Sequence, residues 1–282
     1  MNNGKLFLVG TPIGNLKDIT LRALETLQNC DVIAAEDTRQ SLKLLNHFDI
    51  KKPLISYHKF NENNRSSELM DMVREGKKVA LVTDAGMPGI SDPGSVIVEK
   101  FIENNLEFEV IPGPTALITA LVYSGLDTSK FVFRGFLPKE TKDRKIVMEE
   151  VKNVKDTLIF YEAPHKLLNT LGFLFDNLGD REIAICRELT KLHEEIKHTT
   201  LKSAIEFYES TKPKGEYVLI IEGKSEEEIA IEKMSEWQDI NVEEHIIKCM
   251  EEGLSKKEAI KKVAKARNLS KSEVYKYSIG IN

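Results

Sequence analysis

Four short apolar runs without internal alternation constrain the N-terminal half of this chain most strongly. They are Leu6-Phe7-Leu8-Val9, Val32-Ile33-Ala34-Ala35, Leu54-Ile55-Ser56-Tyr57 and Val79-Ala80-Leu81-Val82-Thr83. A strand that is apolar on both faces must be covered on both faces, and such strands belong to parallel sheets flanked by helices. The intervening segments carry helical periodicity: Leu21–Leu27 with Thr20 as cap, Ser41–Phe48, Ser66–Glu75 and Ser95–Asn104. Glu107–Ile111 closes the series as a fifth strand. This β–α alternation predicts an α/β domain over residues 1–114.

A second α/β unit is expected over residues 115–224. Its strands are Phe131–Phe133, Thr157–Tyr161, Glu182–Cys186 and Tyr217–Ile221, with helices at Lys142–Val151 and His165–Leu174, and its sheet is expected to be mixed. Residues 225–282 are read as a third piece. Ser225–Glu232 is a charged linker. Val242–Glu252 is a helix with Ile246, Ile247 and Met250 on one face, stopped by Gly253. Ser255–Glu258 and Ser270–Glu273 are capping boxes that open two further helices, the first bearing Ile260, Val263 and Ala264. Three short helices with tight turns fit a helix-turn-helix type module or a dimerisation element equally well.

The net charge of −5 conceals a division that bears on partners. Residues 225–252 hold ten acids against Lys233 and Lys248, whereas residues 253–282 hold eight Lys or Arg against Glu258 and Glu273. A near-neutral body, an acidic connector and a basic tail suggest three functional pieces, with a solvated helical surface as the alternative for the charge runs. No apolar run approaches the ~20 residues of a membrane helix. Cys30, Cys186 and Cys249 have neither metal nor disulfide spacing. The expectation is a soluble cytoplasmic protein with reduced thiols, no metal and no membrane partner.

The chemistry is expected in three Gly/Pro-rich turns, because open parallel sheets bind ligands at the carboxyl ends of their strands. They are Gly10–Leu16, Asp84–Gly94 and Ile111–Ala116. Glycine admits close backbone approach and proline fixes loop shape. Neither a Walker lysine, nor G-x-G-x-x-G, nor H-E-x-x-H is present, which argues against the nucleotide cradles and zinc sites those patterns build.

These turns resemble the tetrapyrrole methylase superfamily. The resemblance rests on Leu8–Leu16, Ala35–Arg39, Thr83–Gly94 and Ile111–Ala116 in order. Arg134–Pro138, Tyr161–Lys166, Arg187–Lys191 and Lys214–Tyr217 are similar to its ribosomal RNA-methylating branch. Met87 stands where that branch has threonine. The resemblance implies S-adenosylmethionine in a cleft between two α/β domains and a homodimer. It also implies 2′-O-methylation of a cytidine ribose in the decoding region of 16S rRNA, within the small ribosomal subunit. By position it implies that Pro12, Asp84, Ala85, Gly86, Met87, Ile90, Thr115, Ala116 and Tyr161 surround the cofactor.

Methyl transfer to a ribose hydroxyl needs alignment and a proton acceptor. Glu162, His165 and Glu188 are the candidates. The alternatives are that Glu162 and Glu188 pair with Lys166 and Arg187, and that His165 only hydrogen-bonds RNA. Asp37 and Arg39 either face substrate or pair internally. Lys139, Lys142, Arg144 and Lys145 are the first candidate phosphate contacts and the basic tail the second; His58, Lys59, Phe60 and Arg65 would add stacking and charge, the alternative being that Phe60 is buried. Two other functions are open to this sequence: tetrapyrrole methylation on the same fold, and a ligand-sensing regulator with a DNA-binding tail. The third tail helix carries no Asn, Gln or Arg to read bases, so DNA is not the expected partner.

Overall fold

The computed structural model describes residues 4–226, 228, 229 and 240–281. Two compact units are present, one of residues 4–152 with 156–222, the other of residues 153–155 with 223–281. Residues 227 and 230–232 of the expected linker lie outside the described residues.

The first unit holds both α/β domains. Strands β1 (Lys5–Val9), β2 (Val32–Ala35), β3 (Leu54–Ser56), β4 (Lys78–Val82) and β5 (Phe108–Ile111) form a sheet of order β3-β2-β4-β1-β5. Every pairing in it is parallel, as the unalternated apolar runs require. Helices α1 (Leu21–Asn29), α2 (Thr38–His47), α3 (Glu62–Arg74) and α4 (Ser95–Glu103) cover it. One face packs Leu6, Leu8, Val79 and Leu81 against Leu69, Ile97 and Phe101, and the other packs Val9, Ile33 and Ala80 against Ala23, Leu27 and Leu45. Phe101 is fully buried. Phe101→Ala is expected to cost about 3–5 kcal/mol, read as a lower urea midpoint.

Two helices start earlier than the sequence reading placed them. α2 begins at Thr38 rather than Ser41, because the Asp37 side chain caps it by accepting from the Arg39 amide at 2.9 Å. α3 begins at Glu62 rather than Ser66, and Ser66 is inside it, buried and bonded to the Tyr57 hydroxyl at 3.1 Å.

Helix α5 (Ala116–Ser124) leads to the second sheet, built from β6 (Phe131–Phe136), β7 (Thr157–Glu162), β8 (Glu182–Arg187), β9 (Glu195–Thr200) and β10 (Tyr217–Ile221). Its order is β6-β7-β10-β8-β9. Only β6 and β7 run parallel, so the sheet is mixed, as expected. Helices α6 (Thr141–Val151), α7 (Leu167–Leu178) and α8 (Leu201–Ser210) accompany it. Ile13 from the first domain and Leu117, Ala120 and Leu121 of α5 pack on Ile159, Ala184, Val218 and Ile220, giving the two domains a shared apolar seam.

The second unit carries helices Val242–Glu251, Lys256–Ala266 and Lys271–Tyr277. The latter two open with capping boxes at Ser255/Glu258 and Ser270/Glu273, and Asn241/Glu244 forms a third on the first helix. Gly253 has φ +93°, the left-handed conformation that ends a helix. The buried face of Val242–Glu251 is His245, Ile246 and Cys249 rather than the expected Ile246, Ile247 and Met250. Ile247 is exposed and Met250 only partly buried. Positions 245, 246 and 249 make the i, i+1, i+4 stripe of one helix face, which hydropathy alone misplaced by counting Ile247. Among the described residues no helix is long and apolar enough to cross a membrane.

Candidate active site

The three glycine-rich turns converge at the carboxyl ends of β1, β4 and β5. Thr11 and Gly86 exchange backbone hydrogen bonds of 2.9 and 3.1 Å, tying the β1 turn to the β4 turn. The Thr11 hydroxyl donates to the Thr83 carbonyl at 3.2 Å. The Gly10 amide donates to the Ile111 carbonyl at 3.0 Å. A Cβ on Gly10 would lie 2.8 Å from both Cα and N of Gly113 and 2.6 Å from the Met87 sulfur. Glycine at this position is therefore a packing requirement.

The Asp84–Gly94 loop is braced internally. The Gly89 amide donates to the Pro93 carbonyl at 3.1 Å, and a Cβ on Gly94 would lie 2.8 Å from the Gly89 nitrogen. Gly86, Gly89 and Gly94 have positive φ, as does Ser91 at +64°. These contacts brace the backbone of the loop.

One cavity lies on this loop and reaches the second sheet. Ile13, Ala85, Gly86, Met87, Ile90, Asp92, Thr115 and Ala116 come from the first-domain turns and the start of α5. Phe136, Tyr161, Glu162, Glu216 and Val218 come from the second domain. An adjoining recess is lined by Thr11, Pro12, Gln40, Lys43, Asp84 and Lys191, and shares Ile13, Ala85 and Glu216 with the cavity. Of the residues named for the cofactor, Ala85, Gly86, Met87, Ile90, Thr115, Ala116 and Tyr161 thus lie together on the cavity, while Pro12 and Asp84 lie on the recess. Tyr161 is wedged edge-on between Phe133 and Phe136, at centroid distances of 5.0 and 5.7 Å. Burial pushes its phenol up to about 12.

The three candidate proton acceptors have different surroundings. Glu162 is buried; its carboxylate accepts from the Ala163 amide at 2.7 Å and the Thr170 hydroxyl at 2.5 Å, not from Lys166. Glu188 accepts from Lys191 at 3.0 Å and from the Glu216 amide at 2.9 Å. These contacts hold its carboxyl below the usual value although burial opposes them. The alternative partner for Glu188, Arg187, instead pairs with Glu195 at 3.2 Å. His165 is exposed in the turn before α7 and does not line the cavity. Asp37 and Arg39 form an ion pair at 2.6 Å, and its hydrogen bonds lower the Asp37 carboxyl to about 2.

Seven cavity residues escaped the sequence reading of the site: Ile13, Ser91, Asp92, Phe136, Glu216, Tyr217 and Val218. Asp92 and Phe136 stand inside segments already singled out, Asp84–Gly94 and Arg134–Pro138. Their signal was an acid or a ring next to a rigid Gly or Pro. Burial, followed by the nearby charges of Glu36 and Asp84, raises the Asp92 carboxyl to about 7. Burial also raises Glu36 and Asp84.

The candidate RNA contacts also separate. Lys139, Lys142 and Lys145 are exposed around the start of α6. Arg144 is engaged by the Pro138 carbonyl at 2.8 Å and Asn169 at 2.9 Å, and stacks over Phe173. It shapes the loop that presents its neighbours. Phe60 is 95% exposed beside exposed Lys59. Arg65 pairs with Glu68. In the second unit, Lys256, Lys257, Lys261, Lys271, Lys276 and Tyr275 line a groove between the last two helices.

Comparison with known proteins places this geometry. The family of Tetrapyrrole (Corrin/Porphyrin) Methylases matches residues 5–205. The chain is 47% identical to ribosomal RNA small subunit methyltransferase I of Halalkalibacterium halodurans over 97% of its own length and 94% of that protein. It is 48% identical to the protein of the same name from Thermotoga maritima over 78% of its own length and 99% of that one. Among solved structures, diphthine synthase superposes with a TM-score of 0.63 at 15% identity, over 78% of this chain and 90% of that one, a likeness of fold.

Proposed function

We propose an activity for a chain that belongs to the tetrapyrrole methylase family and, within it, to the ribosomal RNA small subunit methyltransferase I group: transfer of a methyl group from S-adenosylmethionine to a cytidine ribose 2′-hydroxyl of 16S rRNA. The observation that carries this reading is the single cavity on which the Asp84–Gly94 loop and Tyr161 meet. Its small residues Ala85, Gly86 and Ala116 leave backbone groups accessible to a polar ligand. Its apolar residues Ile13, Met87, Ile90 and Val218 exclude water, and Tyr161 and Phe136 offer ring surfaces to a base. Its acids suit a cationic ligand. These features fit S-adenosylmethionine.

When bound, that cofactor supplies a methyl group already activated by a positively charged sulfur. The chain's task is then alignment, which contributes much of the rate enhancement when two reactants are held in register. The Thr11–Gly86 bridge and the Gly10–Gly113 contact fix the cavity floor. The first turn of α5, at Thr115 and Ala116, brings a helix N-terminus to the cavity, favourable for a carboxylate.

The RNA is gripped by exposed lysines: Lys139, Lys142 and Lys145 on the body and the lysine groove of the tail. Phe60 stands ready to stack. The target nucleotide is read within the small ribosomal subunit, by a homodimer in the cytoplasm. This lysine surface favours RNA over a tetrapyrrole as acceptor. The test incubates the full chain and labelled S-adenosylmethionine with small subunits from cells lacking this protein. The expected result is one new alkali-resistant linkage in 16S rRNA. Label in a porphyrinogen and none in RNA overturns the reading.

A further inference from the structure

We propose that the recess beside the cofactor cavity seats the target nucleotide, with Lys43 on one wall and Lys191 on the other gripping its flanking phosphates, an inference that rests on the RNA methyl-transfer reading above. A nucleotide inside a folded RNA reaches an enzyme's donor only when it is splayed out of its stack, and it then needs a pocket of its own next to that donor.

The recess meets that need by position. It encloses about 410 Å³, within the ~300–1,000 Å³ of small-molecule sites. It shares Ile13, Ala85 and Glu216 with the cofactor cavity, so a ribose seated in it meets the donor across a common wall. Its floor holds Pro12 and Thr11, both buried, and Thr11 is fixed by its backbone bridge to Gly86. Leu16, Gln40 and Lys43 are exposed at its rim, so an RNA chain can reach it from outside. Pro12, Leu16 and Leu44 give it apolar surface against which a base can lie.

The two lysines come from different domains. Lys43 stands on α2; its ammonium donates to the Gln40 side-chain oxygen at 3.0 Å and makes no ion pair among the described residues. Lys191 stands on the turn between β8 and β9. It donates to Glu188 at 3.0 Å and to Glu216 at 2.8 Å, which leaves one of its three N–H groups for a ligand. Burial works against its charge, but those two hydrogen bonds outweigh burial and raise its pKa, so it stays a cation.

The turn is built to hold Lys191. Glu188 and Thr190 have φ of +49° and +65°, a conformation that residues other than glycine keep only where their surroundings enforce it. The Thr190 amide donates to the Glu194 carboxylate at 2.5 Å, and the Thr190 hydroxyl is buried with no partner among the described residues. A Cβ on Gly14 would lie 2.5 Å from the Lys191 Cγ and 2.7 Å from the Thr190 hydroxyl, so the turn after β1 closes directly on this pair. The charges select the occupant. The cofactor's one carboxylate is served by the start of α5, and its sulfonium is repelled by ammonium groups. A nucleotide within a chain carries a phosphate on either side, and phosphates are what lysines position.

The test measures methyl transfer by the full chain to small subunits lacking the modification, for wild type, Lys43→Gln, Lys43→Arg, Lys191→Gln and Lys51→Gln. Lys51 is the control, exposed just before β3 at the end of the sheet opposite the recess. Lys43→Gln and Lys191→Gln are each expected to lose roughly 10- to 100-fold in kcat/KM for the subunit, the worth of one charge-assisted hydrogen bond. Lys43→Arg is expected to recover most of the loss, and Lys51→Gln to stay within about twofold of wild type. Cofactor affinity by calorimetry is expected to be unchanged in both Lys43 variants, because position 43 does not line the cofactor cavity. Lys43→Cys carrying a photoactivated aryl azide is expected to crosslink to the methylated nucleotide of 16S rRNA or to its immediate neighbour. The label goes to that position because Cys30, Cys186 and Cys249 are buried. Transfer by Lys43→Gln or Lys191→Gln within about twofold of wild type overturns the assignment. So does a loss in Lys43→Gln matched by weaker cofactor binding, which gives the recess to the cofactor, or a crosslink to RNA remote from the methylated nucleotide. A wild type that transfers nothing to the subunits overturns the RNA reading itself, a distinct result.

Discussion

Gly10→Ala is expected to weaken S-adenosylmethionine binding by about 10- to 100-fold while leaving far-ultraviolet circular dichroism unchanged. The added methyl has no space: it would meet Gly113 backbone atoms at 2.8 Å and the Met87 sulfur at 2.6 Å. Met87 can swing aside, but the Gly113 backbone follows β5, which is locked to β1 over Leu6–Val9. Relief must therefore come from the turn that carries Thr115 and Ala116 and from Met87, all cavity residues. Overpacking of this kind costs about 1–3 kcal/mol, and each 1.4 kcal/mol is tenfold in affinity. Gly172→Ala is the matched control. It lies within α7, and a Cβ there meets nothing within 4 Å. It is expected to leave binding unchanged and to stabilise the protein by about 0.5–1 kcal/mol, because alanine loses less entropy in a helix. Isothermal calorimetry decides the matter: affinity within twofold of wild type for Gly10→Ala would mean that the cofactor binds elsewhere.

The first sheet was legible because burial on both faces leaves an unambiguous sequence trace. Val32–Ala35 and Val79–Val82 have no polar position to confuse the period. β9 left no such trace. Glu195-Ile196-Lys197-His198-Thr199-Thr200 is an edge strand, paired only with β8, and its residues are half-buried or exposed. Its periodicity is the polar pattern of a loop. The tail helices were legible from their caps rather than their cores, since Ser–x–x–Glu fixes a start chemically. Gly and Pro marked where the cavity would be, because a backbone in the left-handed region is written in residue type. Which partner each acid takes was not written there. Glu162 was a reasonable candidate until Thr170, eight residues on in a following helix, took its second oxygen. That contact is a tertiary property.

Replacing Lys257, Lys261 and Lys271 together by Gln is expected to weaken binding to the small ribosomal subunit by about 100-fold at 0.1 M salt. Each phosphate contact contributes roughly 0.7–0.9 to the slope of log affinity against log salt, so three lost contacts lower the slope by about 2–3. These lysines are exposed, line one groove with Tyr275 and make no ion pair among the described residues. Lys262 is a poor choice for the test, because Glu252 already holds it at 2.8 Å. The helices themselves should survive, since their caps and the buried Ile260, Val263, Ala264 and Val274 are untouched. Cofactor affinity is expected to stay at the wild-type value, because Gly86, Met87 and Tyr161 line a cavity formed wholly within the first unit. Subunit affinity measured from 50 to 300 mM salt separates the two roles this tail can have. A shallower salt slope with unchanged cofactor binding makes it a phosphate clamp. An unchanged slope removes RNA from the groove and leaves protein–protein contact as the work of these helices.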